Sequence, residues 1–294
     1  MTSGTSSSTS PSSPLTAEDV VRDLREIPGS PKVLPKLSRL LGDGNSSIDE
    51  VISLIRIEPG IAAHVLQVAN SAFYSKGGQR CLAVGEAVSR VGYDQVYEMV
   101  MHAVGSQVLV RPLAVYHLEA EDLWRRAVTC GFAGEMIAWV SGGDTETAYT
   151  LGLLHLIGMV AVDEWASRNN PSLVMTPKGF PRYYTQTERA LLGFTHADVG
   201  GILLKKWDFP VEMVNAVRYQ YSPLAAGSGS TLACLIYATK WMYEIALGQE
   251  GVVVPPPDEL WLKPLRLNTA RLTKLAEELK ERRHELEQLM QIES

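Results

Sequence analysis

Leu151-Gly152-Leu153-Leu154-His155-Leu156-Ile157-Gly158 is the stretch on which the fold turns. It forms the middle of an apolar run, Ala148 to Val162, that is bounded by Glu146 and Asp163. The run shows none of the alternation of a half-buried strand, so it predicts a buried helix, part of a helical segment from Thr145 to Ala166. It contains a histidine and two glycines and falls short of the ~20 apolar residues a spanning helix requires, so no membrane span is expected. A helix buried in this way needs a shell of partners.

The flanking sequence supplies that shell. Downstream, Glu188 to Gly193 reads as helix, and Thr195 with Asp198 forms a capping box that opens another, running to Lys206 or Trp207. Pro210 suits the first turn of a helix from Val211 to Tyr221, and Ser230 to Leu247 forms one more. Gly251 to Pro257 is an extended, proline-bearing loop. Upstream, helical signals cover Ala120 to Val140, Asp94 to Val110, and Ala83 to Val91, where Gly92 is placed to close the helix. Lys76 to Gln79 is a glycine-rich loop, and Gly60 to Asn70 is helical. Ser47 and Glu50 form a second capping box, leading into Val51, Ile52 and Ile55 until Pro59 stops the run. Val33 to Leu41 makes a short helix, and Thr16 with Asp19 caps a helix carrying Val20, Leu24 and Ile27. No convincing pair of strands occurs, and the expected class is all-α.

The two ends differ in composition. Residues 1–15 are mostly Ser and Thr without Lys or Arg, have nothing to bury, and are expected to be disordered rather than a signal peptide. From Asn268 onward Leu272, Leu275, Leu279, Leu286 and Leu289 fit the a and d positions of a heptad, with Arg282 in one d slot. Residues 265–294 are thus expected to form a charged amphipathic helix, either docked on its own domain or joining two copies as a homodimer.

Composition excludes several classes. Lys plus Arg number 27 and Asp plus Glu 33, giving a net charge of −6 and arguing against nucleic acid as a partner. The pair Lys205-Lys206 beside Trp207 is better read as complementing the negative end of a helix. The three cysteines (Cys81, Cys130, Cys234) are odd in number and never approach C-x-x-C spacing, which points to a reduced, cytoplasmic chain without a zinc ribbon. The six histidines include no H-E-x-x-H pair, and no nucleophile elbow, P-loop or dinucleotide fingerprint is present. Gly142-Gly143-Asp144-Thr145-Glu146 is close to the hairpin signature of diguanylate cyclases, but it lies between two helices and reads as a turn capped by Asp144 or Thr145.

The opening octapeptide resembles the G-L-L-H-D-I-G signature of HD-type metal-dependent phosphohydrolases. The chain more specifically resembles the HDOD family, a bacterial signalling relative of the HD-GYP proteins. Leu34-Pro35-Lys36-Leu37, Ile55-Arg56-Ile57-Glu58-Pro59 and Leu66-Gln67-Val68-Ala69-Asn70-Ser71-Ala72-Phe73-Tyr74 carry that resemblance in order and spacing. So do Glu86-Ala87-Val88-Ser89-Arg90-Val91-Gly92, Leu123-Trp124-Arg125-Arg126, and Gly193-Phe194-Thr195-His196-Ala197-Asp198-Val199-Gly200 followed by Trp207 and Pro210. The similarity covers about Ile27 to Lys240. It implies an HDOD-type helical bundle over residues 16–264, with an N-terminal subdomain at 16–113 and an HD-like subdomain at 119–247.

An HD phosphohydrolase holds divalent ions with an upstream His, an adjacent His-Asp pair and a downstream Asp, and the ions activate the attacking water. By resemblance, those positions fall on Arg126, His155-Leu156 and Thr239. Leucine has no lone pair and a guanidinium repels a metal. Where many relatives carry a His pair, this chain has Tyr219, Gln220 and Tyr221, and Met159 replaces a family lysine. One imidazole, even with His196 as a second nitrogen, does not make a stable site for a divalent metal. No metal, no cofactor and no catalytic residue are therefore expected.

The resemblance then implies a non-catalytic regulatory or scaffolding module in bacterial signal transduction, contacting other signalling proteins. With 294 residues there is no room for an attached receiver or cyclase domain, so a stand-alone module is expected. A small anion could be held near Arg126. Asn70, Ser71 and Tyr74 read as part of a ligand groove between the helical halves, or as a helix cap plus a tyrosine tied to backbone. The competing function is a divergent HD phosphohydrolase acting on a nucleotide or cyclic dinucleotide.

Overall fold

The computed structural model describes residues 15–24, 37, 40, 46–75, 79–105, 112–177, 184–247 and 254–282. The Ser/Thr-rich tail, nearly all of the Val33–Leu41 segment, Leu34 to Lys36 of the first motif, and the heptad positions Leu286 and Leu289 lie outside the described residues. Among those described, the chain is helical, and its β pairing is a single bridge between Leu113 and Leu118. The all-α expectation holds.

Helices α1 (Ala17–Asp23), α2 (Ile48–Arg56), α3 (Pro59–Ala69), α4 (Ala72–Ser75), α5 (Val84–Val91) and α6 (Tyr93–Gly105) come first. Then follow α7 (Ala120–Ser141), α8 (Thr145–Leu154), α9 (Ile157–Asn169), α10 (Thr185–Leu192), α11 (His196–Lys206), α12 (Val211–Arg218), α13 (Ser230–Leu247), α14 (Glu259–Leu262) and α15 (Thr269–Glu281). Three begin with the capping boxes read from sequence: Thr16 with Asp19, Ser47 with Glu50, and Thr195 with Asp198. Asp144, not Thr145, caps α8. Gly92 closes α5 with a positive φ of 90°.

Several boundaries differ from expectation, among them the end of α1 at Asp23, where Leu24 is already extended. The segment Thr145–Ala166 is two helices, because the backbone leaves helical geometry at Leu156 (φ −101°, ψ 5°), directly after His155, which keeps right-handed helical angles. Helix α10 starts at Thr185, three residues before Glu188, and α12 ends at Arg218, before Tyr221.

Helices α2, α3, α5 and α6 pack together as a first lobe, and α7 to α13 form a second. Helix α1 docks on α9 and α11 of the second lobe, not on the first as the boundaries drawn from sequence would group it, and Lys206 Nζ donates to the Val21 carbonyl at 3.1 Å. One apolar core runs from Val51 and Ile61 through Leu151 and Val162 to Leu275.

The lobes meet where α2 turns into α3. Pro59 at the start of α3 stops α2, the buried Glu58 carboxylate accepts from Gly60 N–H at 3.1 Å, and the two helices are bent by 114°. The bend frees carbonyl oxygens at the C-terminus of α2, and the second lobe satisfies them. Tyr149 donates its hydroxyl to the Arg56 carbonyl at 2.8 Å, and Trp124 donates Nε1 to that of Ile57 at 2.6 Å. The Arg56 side chain lies between Glu135 at 3.2 Å and Glu146 at 3.3 Å, with its guanidinium 4.3 Å from the Tyr149 ring centroid.

Segment 112–118 does more than connect the lobes. Its Val115 N–H donates to the buried Asp163 carboxylate at 2.9 Å, and its Val115 carbonyl accepts from Met175 N–H at 2.7 Å. This anchors a loop inside the second lobe, where an unpaired backbone would be costly. At the other end, Leu272, Leu275, Ala276 and Leu279 of α15 are buried on α13 and α7. Those leucines cover the chain's own domain.

The span Thr145–Asn169 is long and apolar enough to cross a membrane by length and composition, but 83% of its most apolar window is buried within the protein. Its apolar character belongs to the core.

Candidate functional site

The site is built around the break between α8 and α9. A β-carbon on Gly152 would run into the Cys130 carbonyl oxygen of α7, and one on Gly158 into the His196 carbonyl oxygen of α11. These two glycines let α7 and α11 approach either side of the break, which fixes His155 and Leu156 at the centre.

His155 is fully buried. Its Nδ1–H donates to the Gly152 carbonyl at 2.6 Å, while Nε2 is buried with no hydrogen-bond partner. Burial holds its pKa well below the ordinary histidine value, and the neighbouring charge of Lys240 pushes the same way. It is a neutral imidazole. Beside it, Leu156 is buried and has no donor atom.

Arg126 on α7 is not a free cation. Its Nη1 lies 2.8 Å from Glu244 Oε1 on α13, and the guanidinium stacks 4.3 Å from the Tyr243 ring centroid. The sequence expectation of an anion held by Arg126 is corrected here, since Glu244 already occupies that role. Thr239 is buried and donates its hydroxyl to the Ile236 carbonyl at 2.8 Å. The nearby Cys130 thiol is pushed up to about 12 by burial, so it stays protonated and offers no thiolate.

Gln220, fully buried at the end of α12, ties this region together. Its Nε2 donates to the His155 carbonyl at 2.8 Å, an oxygen left without a helical partner by the break, and to the Val217 carbonyl at 3.1 Å. Its backbone and side-chain oxygens both accept from Lys240 Nζ, at 3.1 and 3.2 Å. Lys240 was not singled out by sequence, where a lysine on a helix ordinarily reads as solvated surface. The structure buries it, 3.5 Å from the Tyr221 ring centroid. Tyr219 is half-buried at the rim, with the Arg218 guanidinium 5.9 Å from its ring centroid.

His196 belongs to an adjoining network. Its Nδ1 donates to the buried Glu188 carboxylate at 2.8 and 2.9 Å, its backbone N–H donates to the same group at 3.1 Å, and Nε2 lies 3.0 Å from the Tyr221 hydroxyl. Tyr116 donates its hydroxyl to Glu188 at 2.8 Å. Burial alone would raise the Glu188 pKa, but His196 and these hydrogen bonds outweigh it and hold the carboxyl below its usual range. Tyr116 and Glu188 are the members that sequence reading missed.

Asn70, Ser71 and Tyr74 lie in the first lobe, and their hydrogen bonds are made within it. Asn70 brackets the Cys81 backbone, donating Nδ2 to its carbonyl at 2.9 Å and accepting its N–H at 2.8 Å. Ser71 donates to the Val68 carbonyl at 2.7 Å. The Tyr74 hydroxyl donates to the Gln95 side chain at 3.3 Å, not to backbone as expected. These residues close the loop after α3.

The residues present do not fit a divalent metal. A leucine side chain, a hydroxyl already donating to a carbonyl, and a guanidinium paired with Glu244 stand at the positions that the resemblance assigns to metal ligands. Among the described residues, no group of three or more His, Cys, Asp or Glu side chains is placed to hold an ion.

The fold agrees with what known proteins show. The chain belongs to the HDOD domain family, whose model matches residues 27–223. It is 25% identical over 210 residues to an uncharacterized protein of Treponema pallidum, covering 70% of this chain and 40% of the relative's length. In structure it is similar to the MmoQ response regulator of Methylococcus capsulatus, with a TM-score of 0.66 and 17% identity over 85% of this chain and 98% of that one. A virulence factor of Campylobacter jejuni gives a TM-score of 0.67 at 17% identity over 90% of this chain and 95% of that one. At such identities the likeness establishes the fold.

Proposed function

We propose that this chain is a non-catalytic regulatory or scaffolding module of bacterial signal transduction, cytoplasmic, and acting through contacts with other signalling proteins. The observation that supports the reading is the Arg126–Glu244 pair at 2.8 Å, since the resemblance assigns the Arg126 position to a metal ligand and a neutralised guanidinium cannot serve as one. Leu156 and Thr239 support it, because neither offers the carboxylate needed to hold an ion or orient an attacking water. The similarity to a protein named as a response regulator is consistent with a signalling role. A surface without turnover does its work by binding.

The test is metal analysis of the full chain purified without chelator, together with an assay for hydrolysis of nucleotides and cyclic dinucleotides in added Mn²⁺. Absence of both stoichiometric metal and turnover is expected. Stoichiometric Mn, Fe or Zn that disappears in His155→Ala, accompanied by hydrolysis, overturns the proposal in favour of a divergent phosphohydrolase.

A further inference from the structure

Among the described residues, the ammonium of Lys240 beside the α8–α9 break has neutral hydrogen-bond and ring partners. It is buried, and among the described residues no carboxylate forms an ion pair with it. A buried charge in that position is costly unless the protein solvates it. Here it does. Two oxygens of Gln220 accept at 3.1 and 3.2 Å, and the face of Tyr221 lies 3.5 Å away, with Tyr237 at 5.5 Å.

Burial holds the Lys240 pKa well below its ordinary 10.5, and Arg126 pushes the same way. The coordination opposes that push, because it suits a cation rather than a neutral amine. An ammonium has three N–H donors and no lone pair. Two donors meet the carbonyl oxygens and the third meets the negative face of a ring, a favourable cation–π contact. A neutral amine could still serve both oxygens, but its lone pair would then face the π cloud.

The position of this cation is also telling. Lys240 follows Thr239, which stands at a degenerate ligand position. Through Gln220 it is one side chain removed from the His155 carbonyl, which the break leaves without a helical partner. We propose that Lys240 is a resident cation, supplied by the chain itself, which joins α13, the end of α12 and the α8–α9 break at the place where an HD site would hold its ion. The centre is complete without a metal. This deepens the non-catalytic reading and rests on it.

Lys240→Ala deletes four atoms whose counterpart in solution is the propylammonium ion. Propylammonium chloride should raise the melting temperature of Lys240→Ala saturably, by several degrees more than it shifts the wild type. 1-Propanol at the same concentration fills the same space without charge and should give no such gain. Lys240→Met keeps the volume occupied and should not respond to either compound. Equal rescue by propanol and propylammonium, or no rescue by either, overturns the assignment. If Lys240→Ala does not accumulate folded, its refolding yield from denaturant with each compound gives the same comparison, and the same outcomes support or overturn the assignment. Metal-dependent turnover by the wild type would sink the non-catalytic reading, whereas failed rescue without turnover sinks only the assignment of Lys240.

Discussion

Arg126 on α7 and Glu244 on α13 face each other at 2.8 Å, with side-chain exposures of 35% and 17%. Burial pulls the Arg126 pKa down, and Glu244 more than restores it. Neither group is deeply enough buried for a full interior ion-pair energy, and Tyr243 shares the guanidinium. Glu244→Gln is expected to lower stability by about 1–2 kcal/mol, read from denaturant midpoints. Arg126→Gln combined with Glu244→Gln should lose less than the sum of the two single changes. Additive losses would show that the pair is not coupled.

The contact between Gly158 and α11 gives a sharper expectation. Adding a β-carbon there meets backbone, the His196 carbonyl oxygen and Gly200 N, which cannot move without shifting a helix. Gly158→Ala should cost about 3 kcal/mol or leave the chain unfolded, since overpacking against backbone relaxes poorly. Gly143→Ala meets only ordinary contacts with Ala138 from 3.6 Å outward and is expected to be nearly neutral. A mild effect at Gly158 would remove the close approach that centres His155.

Much of this was legible in the sequence because its causes are local. The capping boxes at Thr16, Ser47 and Thr195 are four-residue signals, and each opens the helix expected of it. The chemistry at Arg126, Leu156 and Thr239, the positions that the resemblance assigns to metal ligands, could be read without coordinates because it belongs to the side chains themselves. The helix break could not be read this way. His155 and Leu156 are ordinary helix residues, and what stabilises the break is Gln220, far along the chain. Glu244 and Lys240 were hidden for the same reason. Nothing within one turn of either residue announces that its hydrogen-bond partner lies in another part of the chain. Tyr74 shows the limit at closer range, its hydroxyl meeting the Gln95 side chain where a backbone partner was expected.

Acid should weaken the fold in two stages. His155 is held below its ordinary 6.5, so the unfolded chain takes up a proton that the folded chain refuses. Unfolded chains then bind more protons, and stability is full above pH 6.5 and declines as pH falls below it. Glu188 is held below its ordinary 4.5, so its contribution is present above that value and is lost as pH drops through the folded pKa. Melting temperatures measured from pH 7.5 downward should fall below 6.5 and fall again below 4.5. In His155→Leu the first decline should flatten while the second remains. An unchanged first slope in that variant would assign the proton uptake to another group.

The lobes should separate energetically before they separate covalently. Trp124 Nε1 donates to the Ile57 carbonyl at 2.6 Å, and Tyr149 donates to the Arg56 carbonyl at 2.8 Å, so both joints lie on consecutive peptide units at the end of α2. Removing one donor leaves a buried carbonyl without its partner and should cost about 1–2 kcal/mol. Trp124→Phe and Tyr149→Phe are therefore each expected to lower stability by that amount. Their double variant should show non-additive loss, because once one joint opens the end of α2 can move and the second bond weakens with it. Amide exchange in α2 and α3 should then speed up more than in α9 and α11, whose packing does not run through the bend. Uniform acceleration across both lobes would instead mean that the core shared by the lobes, rather than the turn at Ile57 and Glu58, sets their coupling.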